Sequence, residues 1–302
     1  MKTSKAKTAK TDIYQRITDL VIEKLATGVA PWRKPLLSAQ VNGQTHHRPV
    51  NVATGKPYDG INALILGCSP YDLPVFGTFR QIQELGGQVE KGAKSLPVIH
   101  WQKNKPQPDA DNERDRKGGF ILKNYNVFNV LETSLDTSVF RLGNPAPEVL
   151  PETKKIPVCE QILEGYHGGP GIVHRDQKRM CYTPAFDLVN MPDQARFNQP
   201  EEYYHILFHE LIHSTGHKSR LNRDAGMVGH FGSENYSEEE LTAELGASFL
   251  SSVAGISSET AVENSAAYLG NWLKVLQNDK MFIFKASRGA KKATEWILGE
   301  AA

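Results

Sequence analysis

His209-Glu210-Leu211-Ile212-His213 sits inside a stretch, Asn198 to about Thr215, that reads as a single helix opened by Asn198-Gln199-Pro200-Glu201 as a capping box. Residues four apart stand one turn apart on one helix face, so both imidazoles can hold one metal ion while Glu210 takes a proton from attacking water. With 10 His and 21 Glu among 302 residues, chance placement gives such an H-E-x-x-H triple only about 0.02 times per chain. The bland alternative is a helix whose two histidines merely share a core face.

A site of this type needs a third protein ligand and keeps a fourth position open. The metzincin pattern asks for a histidine six residues beyond His213; Gly216 falls in its expected place, but the sixth residue is Ser219. His205 and His217 lie on the same stripe as His209 and His213, along the helix rather than over an ion, and read as outer neighbours or plain surface. The run Ser237 to Ala247 reads as a second helix from about Glu238. Its Glu240 and Glu244 share a face bordered by Ala243 and Ala247, which are small enough to let another helix approach. Glu240 is read as the third metal ligand and Glu244 as the acceptor that orients a ligating histidine, with the reverse order left open. A cap reading competes, because Ser237-x-x-Glu240 is itself a capping box and consecutive glutamates favour a helix N-terminus. Two imidazoles and a carboxylate select zinc first and also admit manganese or cobalt. Peptide hydrolysis is the chemistry expected: Glu210 would accept a proton and pass it to the leaving amine, with Tyr236 or His230 as conceivable donors to the oxyanion.

Outward from the motif, 39% hydrophobic and 23% charged residues make an ordinary soluble composition. No apolar run approaches the ~20 residues of a spanning helix. The basic start, Met1 to Lys10, leads into an amphipathic pattern rather than a signal peptide, so a cytoplasmic location is expected. Only Cys68, Cys159 and Cys181 occur, without a close pair, so any metal must be held by His and carboxylate. Charge divides unevenly near the Pro-rich stretch Pro145 to Pro151. Residues 1–145 carry 20 Lys+Arg against 13 Asp+Glu, a balance of +7, and residues 146–302 carry 15 against 21, a balance of −6. The basic half is a candidate for polyanions, although surface charge can also drift without function.

Within that half, residues 1–11 read as a disordered basic tail. Ile13, Ile17, Leu20, Val21 and Leu25 give a helix capped by Thr11 or Asp12. A Pro/Gly/Asn-rich loop is expected from Pro31 to Gly60. Ile61 to Leu66 is a short helix or strand, Thr78 to Leu85 a helix stopped by Gly86-Gly87, and Leu96 to Trp101 and Ile121 to Leu131 are strands flanking a polar loop, Lys103 to Gly119. Aromatic and cationic residues interleave at Trp32-Arg33-Lys34, Phe79-Arg80, Trp101-Gln102-Lys103 and Lys123-Asn124-Tyr125 with Phe128. That interleaving suits a single strand whose bases stack while cations track phosphates. Alternation in strands equally suits core aromatics.

These residues carry a resemblance. The first half is similar to the single-stranded-DNA-binding domain of ArdC-type antirestriction proteins, found also on some plasmid primases. The similarity runs through Tyr14 to Thr18, Gly28 to Pro35, Thr54 to Tyr58, Gly60 to Asn62, Thr78 to Gln81, Glu84 to Val89, Lys91-Gly92 and Tyr125 to Asn129. The second half resembles the family's zincin-like peptidase domain through His209 to His213, Thr215 to His217 and Glu239 to Ala247. Interleaving and resemblance together put strand contacts at Trp32, Arg33, Lys34, Lys56, Tyr58, Phe79, Arg80, Lys91 and Trp101. Asp59 and Glu90 stand where the family commonly has basic residues, and an acid facing phosphate weakens binding. Phe76 and Gly77 replace a usual Trp and a bulky aliphatic.

The resemblance implies an α+β fold in two domains: a small mixed α/β nucleic-acid-binding domain, 12–140, a linker, 141–155, and a mainly helical zincin-like metallopeptidase domain with a short sheet, 156–302. It further implies a protein that accompanies single-stranded plasmid DNA during conjugation and shields it from host restriction. The peptidase substrate would be a host restriction or DNA-processing protein. Two rival readings are a metallopeptidase whose first half binds a protein partner, and a DNA-coating protein whose metal site is structural or inactive.

Overall fold

A computed structural model describes residues 12–34, 37–104, 119–141, 154–223, 234–256 and 265–300. The expected basic tail therefore lies outside the described residues, as do nearly all of the expected polar loop and most of the linker. Helix α1 spans Ile13–Ala26, its first turn capped by Asp12, whose carboxylate accepts from the Tyr14 amide at 3.0 Å. Its apolar stripe buries Ile17, Val21 and Leu25. A 3-10 turn, Pro31–Arg33, follows.

Where a continuous loop was expected, the structure has three short strands: β1 (Ala39–Val41), β2 (Gln44–His46) and β3 (Val50–Asn51). β1 and β2 close through Asn42-Gly43, both at positive φ, the requirement of a tight two-residue hairpin. Helix α2 (Gly60–Gly67) resolves the helix-or-strand ambiguity of residues 61–66. Strand β4 (Val75–Thr78) runs into α3 (Phe79–Glu84), where Thr78 and Gln81 form a reciprocal capping box. Strands β5 (Leu96–Asn104) and β6 (Gly119–Asn129) form a long antiparallel pair in a sheet of order β3-β4-β6-β5.

The second half begins with α4 (Pro157–Gly165) and a small sheet of β7 (Gly171–Val173), β8 (Cys181–Thr183) and β9 (Leu188–Asn190) in the order β7-β9-β8. Helices α5 (Pro200–Thr215), α6 (Glu234–Ala254), α7 (Ser265–Asn278) and α8 (Phe282–Ile297) complete it. This is the α+β, two-part architecture the sequence implied. The expected capping box before α5 is absent: Gln199 is the cap residue, makes no side-chain bond, and Pro200 fixes the first turn instead. Among the described residues, no helix is long and apolar enough to cross a membrane.

The halves are not separate in packing. One apolar core is internal to the second half, around Tyr204, Phe208 and Leu211. Another is built jointly by Ile17, Val21, Trp32 and Leu64 of the first half and Leu241, Leu245, Trp272 and Phe282 of the second. Burying each such large side chain contributes roughly 1.5–3 kcal/mol. The helices that matter most for chemistry, α5 and α6, meet closely because Gly246 faces Ile212. A Cβ at 246 would fall 2.6 Å from Ile212 Cδ1, so only glycine permits this approach.

Candidate metal centre and nucleic-acid surface

α5 presents His209 and His213 one turn apart, and α6 crosses them with Glu240. One ligand atom from each of the three lies within 4.8 Å of the others. His209 Nε2 is 3.7 Å from Glu240 Oε2, His213 Nε2 is 3.6 Å from Glu240 Oε1, and the two Nε2 atoms are 3.1 Å apart. Two imidazole nitrogens and a carboxylate converging at these distances are a donor set suited to a divalent ion. The cap reading of Glu240 does not fit, since α6 begins six residues earlier, at Glu234. Ser237 Oγ instead accepts from Asn271 Nδ2 at 2.6 Å.

Each histidine turns its other nitrogen to a carboxylate. His213 Nδ1 donates to Glu239 Oε1 at 3.2 Å, and Arg223 grips both Glu239 oxygens at 3.0 Å while also donating to Thr215 Oγ1 and the Ile212 carbonyl. His209 Nδ1 faces Glu244 Oε2 at 3.9 Å, as sequence reasoning anticipated for that glutamate. Such outer carboxylates fix the tautomer and ring angle of a ligating histidine. Glu239 was missed. Asking which carboxylate serves the second imidazole would have pointed to the glutamates flanking Glu240, of which Glu239 is the one bonded to His213.

The electrostatics follow from burial and these partners. For His209, burial and then the neighbouring His213 charge depress the imidazole to about 3. For His213, burial pulls down, but the Glu239 bond and the Glu240, Glu239 and Glu210 carboxylates outweigh it and hold it at about 9. Burial alone would raise Glu244; the Arg33 bond and charge reverse this and hold it at about 2. Glu240 is raised by burial against the opposing His213 charge and a Tyr236 side-chain bond, which places that tyrosine on the Glu240 carboxylate. His230 lies outside the described residues.

At neutral pH His213 thus carries a proton that it must release before Nε2 can ligate. Apparent zinc affinity is expected to rise nearly tenfold per unit up to about pH 9, with about one proton released per ion at pH 7. Calorimetry in two buffers of different ionisation heat measures this, and zero release would show that His213 enters neutral.

Glu210 is buried beside the cluster, and burial raises its carboxyl above the usual range. Its Oε2 accepts from the Tyr182 amide of edge strand β8 at 2.6 Å. The Tyr182 hydroxyl in turn donates to Asp187, which Arg220 holds with bonds of 2.5 and 2.9 Å. The strand that touches Glu210 is therefore clamped. His205 is buried against Ser251 Oγ at 3.0 Å, and His217 pairs with Ser219 Oγ at 2.8 Å; neither joins the cluster.

The nine residues expected to contact a strand do not form one surface. Trp32 and Arg33 turn inward, where the indole donates to Glu244 Oε1 at 3.2 Å and Arg33 Nε donates to the same oxygen, so the Trp32 ring is buried away from a stacking base and the partly buried guanidinium is engaged at Nε. Lys34 Nζ is spent on the carbonyls of Ser69 and Tyr71 at 2.7 and 2.5 Å. Tyr58 is half-buried and accepts from Asn51. Lys56, Phe79, Arg80, Lys91 and Trp101 are exposed, Arg80 also bonding Glu84.

The β5–β6 pair is the richest stretch. Trp101 and Lys103 share one face, His100, Lys123 and Tyr125 the other, and Trp101 and Tyr125 are each 45% exposed. Asp59 is offset by Arg48 at 2.8 Å and Lys291 at 3.9 Å. Phe76 is a core residue, and a Cβ at Gly77 would fall 2.8 Å from Val52 Cγ1, so both substitutions answer to packing.

A helix carrying both histidines, a second delivering the carboxylate and a short sheet against the glutamate define the second half as a zincin-like domain. A zincin-like metallopeptidase family model matches residues 166–289, and a model of the N-terminal domain of anti-restriction factor ArdC matches residues 11–128. The chain belongs to the ArdC antirestriction family. It is similar to the metal-free crystal structure of the antirestriction ArdC protein from plasmid R388 at TM-score 0.74 and 30% identity, covering 96% of this chain and 97% of that one. The Mn(II)-bound structure of that protein gives 0.73 and 32%, covering 96% and 98%. Protein y4eC of Sinorhizobium fredii (strain NBRC 101917 / NGR234) is 32% identical over 98% of this chain and 95% of its own length. A DNA primase TraC of Escherichia coli is 33% identical over 96% of this chain, which spans only 27% of that primase.

Proposed function

We propose that this chain binds single-stranded DNA through its first half, protects incoming conjugative plasmid DNA from host restriction, and carries a metal-dependent peptidase site in its second half. The observation that carries the peptidase reading is the convergence of His209, His213 and Glu240 beside the buried Glu210. His209, His213 and Glu240 would hold one divalent ion, zinc by donor type, with manganese the alternative suggested by the Mn(II)-bound relative. When bound, the ion supplies Lewis acidity that polarises a scissile carbonyl. Glu210, raised by burial, accepts the proton of the attacking water and returns it to the leaving amine. The Tyr182 amide holds that carboxylate in line. The substrate would be a host restriction or DNA-processing protein met in the cytoplasm of the recipient cell.

In the first half, the β5–β6 pair offers either the Trp101 ring with Lys103 on one face or the Tyr125 ring with Lys123 on the other, the ring for bases and the lysine for phosphates, with the exposed Lys91 a further phosphate contact. Fluorescence anisotropy with matched single-stranded and duplex oligonucleotides at two salt concentrations tests this reading. Preferential single-strand binding that weakens with salt is expected. No binding to either form would leave a metallopeptidase whose first half takes a protein partner.

A further inference from the structure

The family-like segment Pro31-Trp32-Arg33 lies more than 170 residues before His209 in sequence, yet the Trp32 and Arg33 side chains end on Glu244, 212 and 211 positions later, beside the metal cluster. The turn is seated tightly: a Cβ at Gly67 would fall 2.7 Å from the Pro31 carbonyl oxygen, so α2 locks the turn by its backbone. The Trp32 ring packs edge-on against Trp272 of α7, with ring centroids 5.8 Å apart. From that fixed platform the indole N–H and the Arg33 Nε both donate to one oxygen of Glu244, Oε1. The other oxygen, Oε2, is the one that faces His209 Nδ1. The arrangement repeats, with different parts, what Arg223 does to Glu239 behind His213. In each case an arginine anchors a carboxylate, and the carboxylate faces the nitrogen that does not point at the cluster.

We propose that Trp32 and Arg33 are positioning residues of the metal centre, so that the site borne by the second half is completed by the first. This rests on the reading of His209, His213 and Glu240 as a metal site. The anchored Glu244 sets the orientation of the His209 ring, and with it the direction of Nε2. Residues that orient a ligating histidine typically govern metal affinity by 10- to 100-fold.

The test is zinc affinity of the full-length chain, measured by competition with a chromophoric chelator, for the native protein, Arg33→Ala, Glu244→Gln and the Arg33→Ala/Glu244→Gln double variant. Arg33→Ala is expected to weaken zinc binding about tenfold and to leave single-strand DNA affinity within about twofold. If Arg33 acts through Glu244, its effect vanishes in the Glu244→Gln background, within about twofold; a further tenfold loss there overturns the proposal. Native-like zinc affinity of folded Arg33→Ala overturns it too. Should Arg33→Ala fail to fold, Trp32→Phe carries the test, since it keeps an aromatic ring against Trp272 while removing the N–H donor along with part of the ring volume. A several-fold loss of zinc affinity is then expected, and an unchanged affinity rejects the idea. If the native chain itself binds no zinc, manganese or cobalt, the metal-site reading fails first, which separates the two outcomes.

Discussion

Glu210→Gln is expected to abolish hydrolysis of any protein the native chain cleaves, a fall of about 10²- to 10⁴-fold, while zinc stoichiometry and DNA affinity stay at native values. The substitution is nearly isosteric, and its amide oxygen can still accept from Tyr182 at the place where Glu210 Oε2 does now. Fold and cluster are thereby preserved, and only the capacity to take a proton is removed. Side-by-side cleavage assays with zinc content measured on the same samples check it. Cleavage at the native rate would remove Glu210 from the role of base. Loss of zinc together with activity would instead make it a support of the cluster.

The second large effect belongs to the β5–β6 pair. Base stacking on an aromatic side chain contributes about 1–3 kcal/mol per base, so losing a ring that carries a base weakens binding by roughly 5- to 150-fold. Trp101→Ala and Tyr125→Ala probe opposite faces of the same two strands. A DNA strand laid over one face makes one variant weak and leaves the other close to native, and the identity of the weak one locates the path. Anisotropy titrations measure both. Native affinity in both variants would move the contact away from this pair, to Phe79, Lys56 or Lys91.

Much of the metal centre was legible because helical spacing is a local property. His209, Glu210 and His213 declare their shared face within five residues, and Glu240 declares its face through Glu244, Ala243 and Ala247. The partners behind them were not legible for the opposite reason. Trp32-Arg33 has the look of a nucleic-acid contact, and nothing within ten residues of it signals that a carboxylate 211 positions later claims its donors. Likewise Gly246 gives no sign in sequence of the isoleucine pressed against it. Strands β1 to β3 escaped notice because strands of two or three residues among Asn and Gly have too short an alternation to read; long-range pairing defines them, as when Val50 bonds into β4. The start of α5 was placed one residue early, with Asn198 rather than Gln199 as the cap, and with the wrong chemistry, since proline fixes a first turn without any side-chain cap.

The core assembled from Ile17, Val21, Trp32, Leu241, Leu245 and Trp272 bears on how such a gene can be rearranged. Recombination that cuts between the two family regions would find no seam: each half would carry away an uncovered apolar face, and the second would also lose the anchors of Glu244. A gene that acquires both halves as one uninterrupted block keeps that core covered. The alignment with TraC has that form, a match to 96% of this chain occupying about a quarter of a much longer primase.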